Sequence, residues 1–229
     1  METVSRPVDS RVKLSQRYFN PLTLAVYDLA LFGFIDKYAW GCPTERVLRH
    51  YRDHLSANHL EVGVGSGYLL DHSTFPGKEP RLALMDLSES CLQKTSRRLT
   101  RYHPQCYRRN ILQPIEIDAP GFDSIAVNYV MHCVPGHFEL KGEAFGHLSQ
   151  LLNEDGVLFG STVLSVGVEK DMFTRLCMSS LNKAGVFCNE EDCATALHDV
   201  LRRYFNRVEM EIVGCVALFA CRDRKTEAE

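Results

Sequence analysis

Three glycines spaced by single residues follow an apolar strand start in the run Glu61-Val62-Gly63-Val64-Gly65-Ser66-Gly67. Glycine at these positions permits a tight turn in which the backbone can approach a ligand with no Cβ in the way. The next strand, over residues 81–86, ends on Asp86, 23 residues after Gly63. At that spacing an acidic strand end can accept both hydroxyls of a ribose. Glu61, near the end of its own strand, would face a cationic amino group of the same ligand. A nicotinamide fingerprint would instead want its third glycine at position 68, which is Tyr68.

Around this turn the periodicity alternates strands with helices. A helix is predicted over residues 44–55, with Val47, Leu48, Tyr51 and Leu55 as one stripe opposite Arg46, Arg49 and Arg52. Strands over 59–63 and 81–86 precede a helix capped by Ser88 that runs to about Arg101. A short strand near 106–110, a strand over 122–128, a helix over 138–152 and a strand over 156–164 continue the pattern. Such alternation predicts a doubly wound parallel sheet with helices on both faces, because parallel crossovers must travel back across the sheet. Helices near 169–183 and 190–205 then lead to strands over 207–213 and 215–222, joined at Gly214 tightly enough to be antiparallel.

Composition removes several function classes. With 26 basic and 29 acidic residues, a formal charge of -3 exerts no general pull towards phosphate backbones or anionic lipid, so nucleic acid is not the favoured partner. Arg97, Arg98, Arg101, Arg108 and Arg109 read as the solvated side of a helix and the turn after it. Nine cysteines, an odd number without a Cys-x-x-Cys pair, fit neither a disulfide framework nor a zinc ribbon, and imply a reducing, cytoplasmic setting. His50 and His54 have a spacing that a metal could use, but no carboxylate or cysteine completes the set, so no metal is expected.

Taken together, these motifs resemble the class I S-adenosylmethionine-dependent methyltransferase family, from about residue 44 to the C-terminus. The resemblance implies a Rossmann-like, seven-stranded, mostly parallel sheet closed by an antiparallel strand pair, and S-adenosyl-L-methionine as cofactor. Residues 61–67 are similar to the family's E/D-x-G-x-G-x-G, which implies that Glu61, Val62, Gly63, Gly65, Ser66 and Gly67 contact the methionine part of the cofactor. Asp86 is then the ribose ligand, with Leu87 against the adenine. Asn110-Ile111 stands where the family usually has an acidic residue for the adenine amino group. Asn128-Tyr129-Val130-Met131 stands where the family's catalytic segment passes under the sulfonium, and it lacks the two prolines of the amino-methylating nucleic-acid enzymes. Residues 151–158 resemble the family's helix-to-strand turn, with Gly156 kept.

Ahead of this region, Asn20-Pro21 reads as an N-cap followed by proline at the first helical position. Leu22, Leu24, Val26, Leu29, Leu31, Phe32, Phe34 and Ile35 make the ensuing helix apolar on nearly every side. It serves either as a lid over a pocket or as a subunit contact that would make a homodimer. Residues 1–40 are accordingly read as a helical lid segment that does not fold alone, and residues 41–229 as the methyltransferase domain. Asp28 and the missing cleavage site argue against a signal sequence, and the run is short of the ~20 residues a membrane span requires. The lid aromatics Tyr18, Phe19, Tyr27, Tyr38 and Trp40 point to an apolar or aromatic small-molecule acceptor of the secondary-metabolite kind, with Tyr18, Tyr27, Trp40 and also His137 as its contacts.

Methyl transfer from a sulfonium is a direct displacement, so holding the nucleophile in line and excluding water is the protein's main task. His132, four residues beyond the fourth strand, is the first candidate for a proton acceptor, with Tyr129 behind it. A histidine that merely hydrogen-bonds a loop carbonyl stays open as the alternative. Cys133 reads as a small hydrophobe. Two other functions compete: a non-methylating protein that binds the cofactor structurally or catalyses a rearrangement, and, third, a nicotinamide-dependent oxidoreductase.

Overall fold

The computed structural model describes residues 39–225. The helix expected after Asn20-Pro21, with Tyr18, Phe19, Tyr27 and Tyr38, lies outside the described residues. Helix α1 (Thr44–His54) precedes β1 (Asn58–Val62), the short α2 (Tyr68–Asp71), β2 (Arg81–Asp86), α3 (Glu89–Arg98) and β3 (Gln105–Arg108). Then come β4 (Phe122–Asn128), α4 (Phe138–Lys141), α5 (Glu143–Ser149) and β5 (Leu152–Val163). Helices α6 (Met172–Lys183) and α7 (Ala194–Tyr204) lead to the hairpin β6 (Phe205–Val213) and β7 (Val216–Arg224).

The seven strands are ordered β3-β2-β1-β4-β5-β7-β6. All neighbours from β3 to β5 are parallel, and β7 runs antiparallel to both β5 and β6. The strand order reverses between β1 and β4. Open α/β sheets bind ligands at such a switch point, outside the carboxyl ends of the strands.

Two apolar layers sandwich the sheet. On one face α1 buries Val47, Leu48 and Tyr51, the stripe expected from its periodicity, and the Tyr51 ring meets Phe159 of β5 edge-on at 5.4 Å. On the other face Phe138, Phe145, Leu197, Leu201 and Phe205 pack together against Phe219 and Leu158. Ala39, Trp40 and Cys42 are all buried in the first layer, so a domain boundary drawn at 40/41 cuts through packed core.

The helix expected over 138–152 is two helices meeting at Gly142, followed by a strand that starts at Leu152. Packing explains the break. A Cβ at Gly142 would sit 2.2 Å from Val200 and 2.4 Å from the Phe138 carbonyl, so glycine there is what lets α7 approach. Further along, α6 and α7 begin later than expected because Asp171 and Cys193 cap them, accepting from the N–H groups of Thr174 and Ala196.

A buried ion pair fixes the segment between α6 and α7. Lys141 Nζ donates to Asp192 Oδ2 at 2.7 Å and to the Cys188 carbonyl at 3.2 Å, with both side chains removed from water. The Asp192 carbonyl in turn accepts the N–H groups of Ser165 and Val166, tying the segment to the end of β5. Burial pushes the Asp192 carboxyl up to about 6 against the opposing pull of Lys141, and burial lowers the Lys141 ammonium. Breaking such a pair strands a charge, which costs about 3–5 kcal/mol, whereas replacing both partners with apolar groups can be nearly neutral. Lys141→Met should therefore lower the urea midpoint strongly, and Lys141→Met with Asp192→Leu should recover most of the loss. A single-variant cost within ~1 kcal/mol would show that the pair behaves like an exposed one.

Candidate active site

The cleft at the switch point is walled by the strand ends and by the residues that follow them. Glu61 to Leu69, Met85 to Ser88, Arg109 to Leu112, and Asn128 to Val130 with Cys133 to Pro135 all line it. The glycine turn closes on itself through Gly67 N–H to the Val64 carbonyl at 2.8 Å. Thr95 and Arg98 of α3 donate to the carbonyls of Gly65 and Ser66 at 3.1 Å each, holding the turn against the helix.

Two of its glycines are required for different reasons. Gly63 has φ +69°, and a Cβ there would lie 2.2 Å from Val130. Gly65 has φ +50°, yet nothing lies within 4 Å of where its Cβ would be. The space above it is therefore open for a ligand to lie on the backbone.

Asp86, at the end of β2, points its carboxylate at the turn. The backbone N–H groups of Val64, Gly65, Leu87 and Ser88 bond to it, Ser88 at 2.8 Å. Burial nevertheless dominates and raises its pKa to about 6.

Glu61 is held from behind by a buried chain of polar groups. Its Oε2 accepts from the Tyr51 hydroxyl and from His59 Nε2 at 3.2 Å. A carboxylate only accepts, so His59 donates through Nε2, and its Nδ1 is hydrogen-bonded with the Ser124 hydroxyl at 2.8 Å. Both of these bonds fall on Oε2, which leaves Oε1 for the cleft.

Opposite Asp86, β4 ends in Asn128, whose Oδ1 accepts the Ser161 hydroxyl at 2.9 Å. Tyr129 follows with φ +55°, a conformation that bulky side chains adopt at a cost and that recurs at functional sites.

The family model described as "Methyltransferase domain" matches residues 60–158. Demethylluteothin O-methyltransferase of Streptomyces thioluteus is 39% identical over 217 residues, covering 95% of this chain and 94% of that protein. The physcion biosynthesis cluster O-methyltransferase of Aspergillus chevalieri is 34% identical over 203 residues, covering 88% of this chain and 91% of its own. Among solved structures, the N-methyltransferase NodS of Bradyrhizobium japonicum in complex with S-adenosyl-L-homocysteine has a TM-score of 0.55 at 15% identity, covering 96% of this chain and 99% of that one. The chain belongs to the S-adenosylmethionine-dependent methyltransferase family.

The open face of Gly65 and the ring of donors around Asp86 fit S-adenosylmethionine as the methyltransferase's cofactor. The structure brings all the expected cofactor residues to one cleft: Glu61, Val62, Gly63, Gly65, Ser66, Gly67, Asp86, Leu87, Asn110, Ile111 and Asn128. Asn110 differs in use from the family's acidic residue, since its Oδ1 accepts the Leu112 N–H at 3.0 Å and shapes the turn.

Of the residues expected to act on the acceptor, Tyr129 lines the cleft, whereas His132, Trp40 and His137 do not. His132 is absent from the cleft wall, 2% exposed, with Nδ1 accepting the Val163 N–H at 3.2 Å and its ring 4.4 Å from that of Phe187. Burial, helped by the Lys141 charge, lowers its pKa to about 3. His132 lies in the 3-10 turn over Met131–Cys133, and its ring sits against Thr162 and Val163 at the end of β5 and against Phe187 instead of on the cleft. Trp40 is a core residue whose ring lies tilted against that of Phe187, with centroids 5.5 Å apart. His137 caps the start of α4 and borders a second cavity of about 440 Å³ with Asn182, Lys183, Glu190 and Glu191. Tyr18 and Tyr27 lie outside the described residues.

Sequence reasoning missed Met85, Cys91, Arg109, Leu112, Val134 and Pro135 on the cleft wall. Met85, Arg109 and Leu112 stand within a few residues of a strand's carboxyl end, and that position was the available signal for them.

A ribose ligand needs Asp86 as a carboxylate, since only the ionised form accepts from both hydroxyls. With the free group titrating at about 6, S-adenosylhomocysteine affinity should fall as the pH drops through that value. Calorimetry from about pH 5 to 8 checks this. Asp86→Asn should bind more weakly by about 1.5–3 kcal/mol at the high end and lose the pH step.

Proposed function

We propose that this methyltransferase modifies a small, apolar or aromatic acceptor of the secondary-metabolite kind, with no side-chain base. The observation that carries the reading is the cleft itself, where the open glycine turn and Asp86 share an edge with Asn128 and Tyr129. When bound, S-adenosylmethionine supplies a sulfonium methyl group that leaves sulfur, with the bonding pair staying behind, as the bond to the acceptor forms.

The protein's own residues bind and orient. Val62, Gly63, Gly65, Ser66 and Gly67 present backbone to the methionine part, Glu61 Oε1 faces its ammonium, Asp86 takes the ribose, and Leu87 with Ile111 flanks the adenine. Apolar side chains from Val130, Cys133 and Val134 exclude water from the acceptor side. Holding two reactants in line is worth several kcal/mol by itself, so the absence of a base is no obstacle to turnover. The names of the relatives, one acting on demethylluteothin and one belonging to physcion biosynthesis, support a small-molecule acceptor. A covering role over the acceptor for the segment ahead of Ala39 belongs to the same proposal.

Incubation with methyl-labelled cofactor and a panel of phenols, amines, thiols and carboxylic acids tests the reading. Labelled product should appear in step with S-adenosylhomocysteine. Turnover of none of them, by protein that still binds S-adenosylhomocysteine, would remove the acceptor class and favour a non-methylating role.

His132 should also remain neutral throughout the working range. Its imidazole resonance in an NMR titration from about pH 5 to 8 is expected not to move. A shift centred near the ordinary histidine value would restore it as a proton acceptor.

A further inference from the structure

Asn128 is 6% exposed on the cleft wall, and its two amide ends are in unlike circumstances. Its Oδ1 takes the hydroxyl of Ser161, a fully buried residue paired with it across the β4–β5 register. Its Nδ2 has no hydrogen-bond partner among the described residues. A buried amino group without an acceptor is costly, and proteins keep one where a ligand supplies the acceptor. Because Ser161 occupies the oxygen, what the side chain offers the cleft is a donor.

We propose that Asn128 Nδ2 donates to the nucleophilic atom of the methyl acceptor and thereby selects an acceptor bound as an oxygen anion, a phenolate or an enolate. This inference rests on the methyltransferase reading above.

Counting lone pairs separates oxygen from nitrogen. A neutral amine has one lone pair, and a donor placed on it blocks the attack on a methyl group. A phenolate or enolate oxygen keeps further lone pairs after accepting from Nδ2, so it can be held and still attack. The proton balance points the same way. None of the chain's nine histidines lines the cleft, all nine being among the described residues. Of the other groups facing it, Glu61 is held by Tyr51 and His59, Asp86 is turned into backbone N–H groups, and Arg109 is a cation. Burial raises Cys91 to about 11 and Cys133 to about 12, so neither is a thiolate near neutral pH. With no histidine and no thiolate among the described residues of the cleft, in this proposal the acceptor gives its proton to solvent before it is held, and the ammonium and sulfonium of the cofactor bring positive charge to the same cleft.

The experiment reads binding rather than turnover. Nitro- and cyano-substituted phenols, whose phenolates absorb apart from the neutral forms, are titrated into protein loaded with S-adenosylhomocysteine. Wild type should bind the phenolate at least about tenfold over the phenol, which lowers the bound ligand's pKa by about one unit, and should bind the matching anilines about tenfold more weakly. Asn128→Asp places a charge of the wrong sign at the same atoms and should abolish the preference for phenolate. Asn128→Ala removes the donor without adding a charge and should reduce it, each variant being titrated at an S-adenosylhomocysteine concentration that saturates it.

Binding of the neutral phenols as tightly as the phenolates, binding of no phenol in the series, or an unchanged phenolate preference in both variants overturns the proposal. So does a tenfold loss of S-adenosylhomocysteine affinity in Asn128→Ala, which would assign Nδ2 to the cofactor. Failure of wild type to bind S-adenosylhomocysteine at all would instead defeat the methyltransferase reading.

Discussion

Parallel pairing in register brings the ends of β1, β2 and β4 to one level, and the chemistry of this methyltransferase depends on that alignment. Val62, the last residue of β1, pairs with Met85 on one side and Val127 on the other. Asp86 and Asn128 each stand one residue further on, so the chain that leaves β1 through Gly63 passes between them. A ladder bond from Gly63 N–H to the Met85 carbonyl at 2.8 Å extends this alignment past the end of the strand. One acceptor-only side chain and one unpartnered, buried donor thus flank a backbone with no Cβ above it. Slipping the register by one residue would send all these side chains to the opposite face, so the apolar alternation that fixes the sheet also assembles the site.

The site's walls are kept in place by buried polar groups rather than by apolar packing alone. Glu61 is steadied through Tyr51 and His59 to Ser124, and Ser124 reaches Ser56 at 2.7 Å, at the turn between α1 and β1. Lys141 and Asp192 hold the segment that carries Phe187 and Cys188, and the Cys188 N–H donates to the His132 carbonyl at 2.7 Å. Such networks contribute little net stability compared with apolar residues of the same shape, but they penalise any arrangement that leaves a member unpaired. They restrict the cleft to one geometry, which matters for a reaction that relies on alignment.

The cofactor half of the site was legible because it depends on local signals. Spaced glycines, an acidic strand end and apolar strands of known length are readable one segment at a time, and β2 and β4 occupy the expected residues. The split at Gly142 was not legible, because its cause is the close approach of Val200 from nearly sixty residues away. Trp40 was placed with the lid by proximity in sequence, whereas its carbonyl accepts the Cys215 N–H at 2.7 Å and its ring joins the core. The orphaned donor of Asn128 was also invisible, since it follows from which amide atom Ser161 occupies.

His132 shows why nearness to the sheet edge is a weak guide to catalysis. Counting residues past β4 puts it at the edge, but Tyr129 turns the chain through a left-handed conformation, and the 3-10 turn after it leaves the imidazole against the last residues of β5. There the ring satisfies the Val163 N–H beside the last residues of β5, and its lone pair is spent on structure. A base that must also hold a strand end cannot move towards a substrate without unpairing a buried N–H, which costs about as much as the hydrogen bond it would gain. The fold resolves this conflict in favour of structure. What the described residues leave at the acceptor side is a wall with an unpartnered hydrogen-bond donor, which suits a nucleophile that needs positioning.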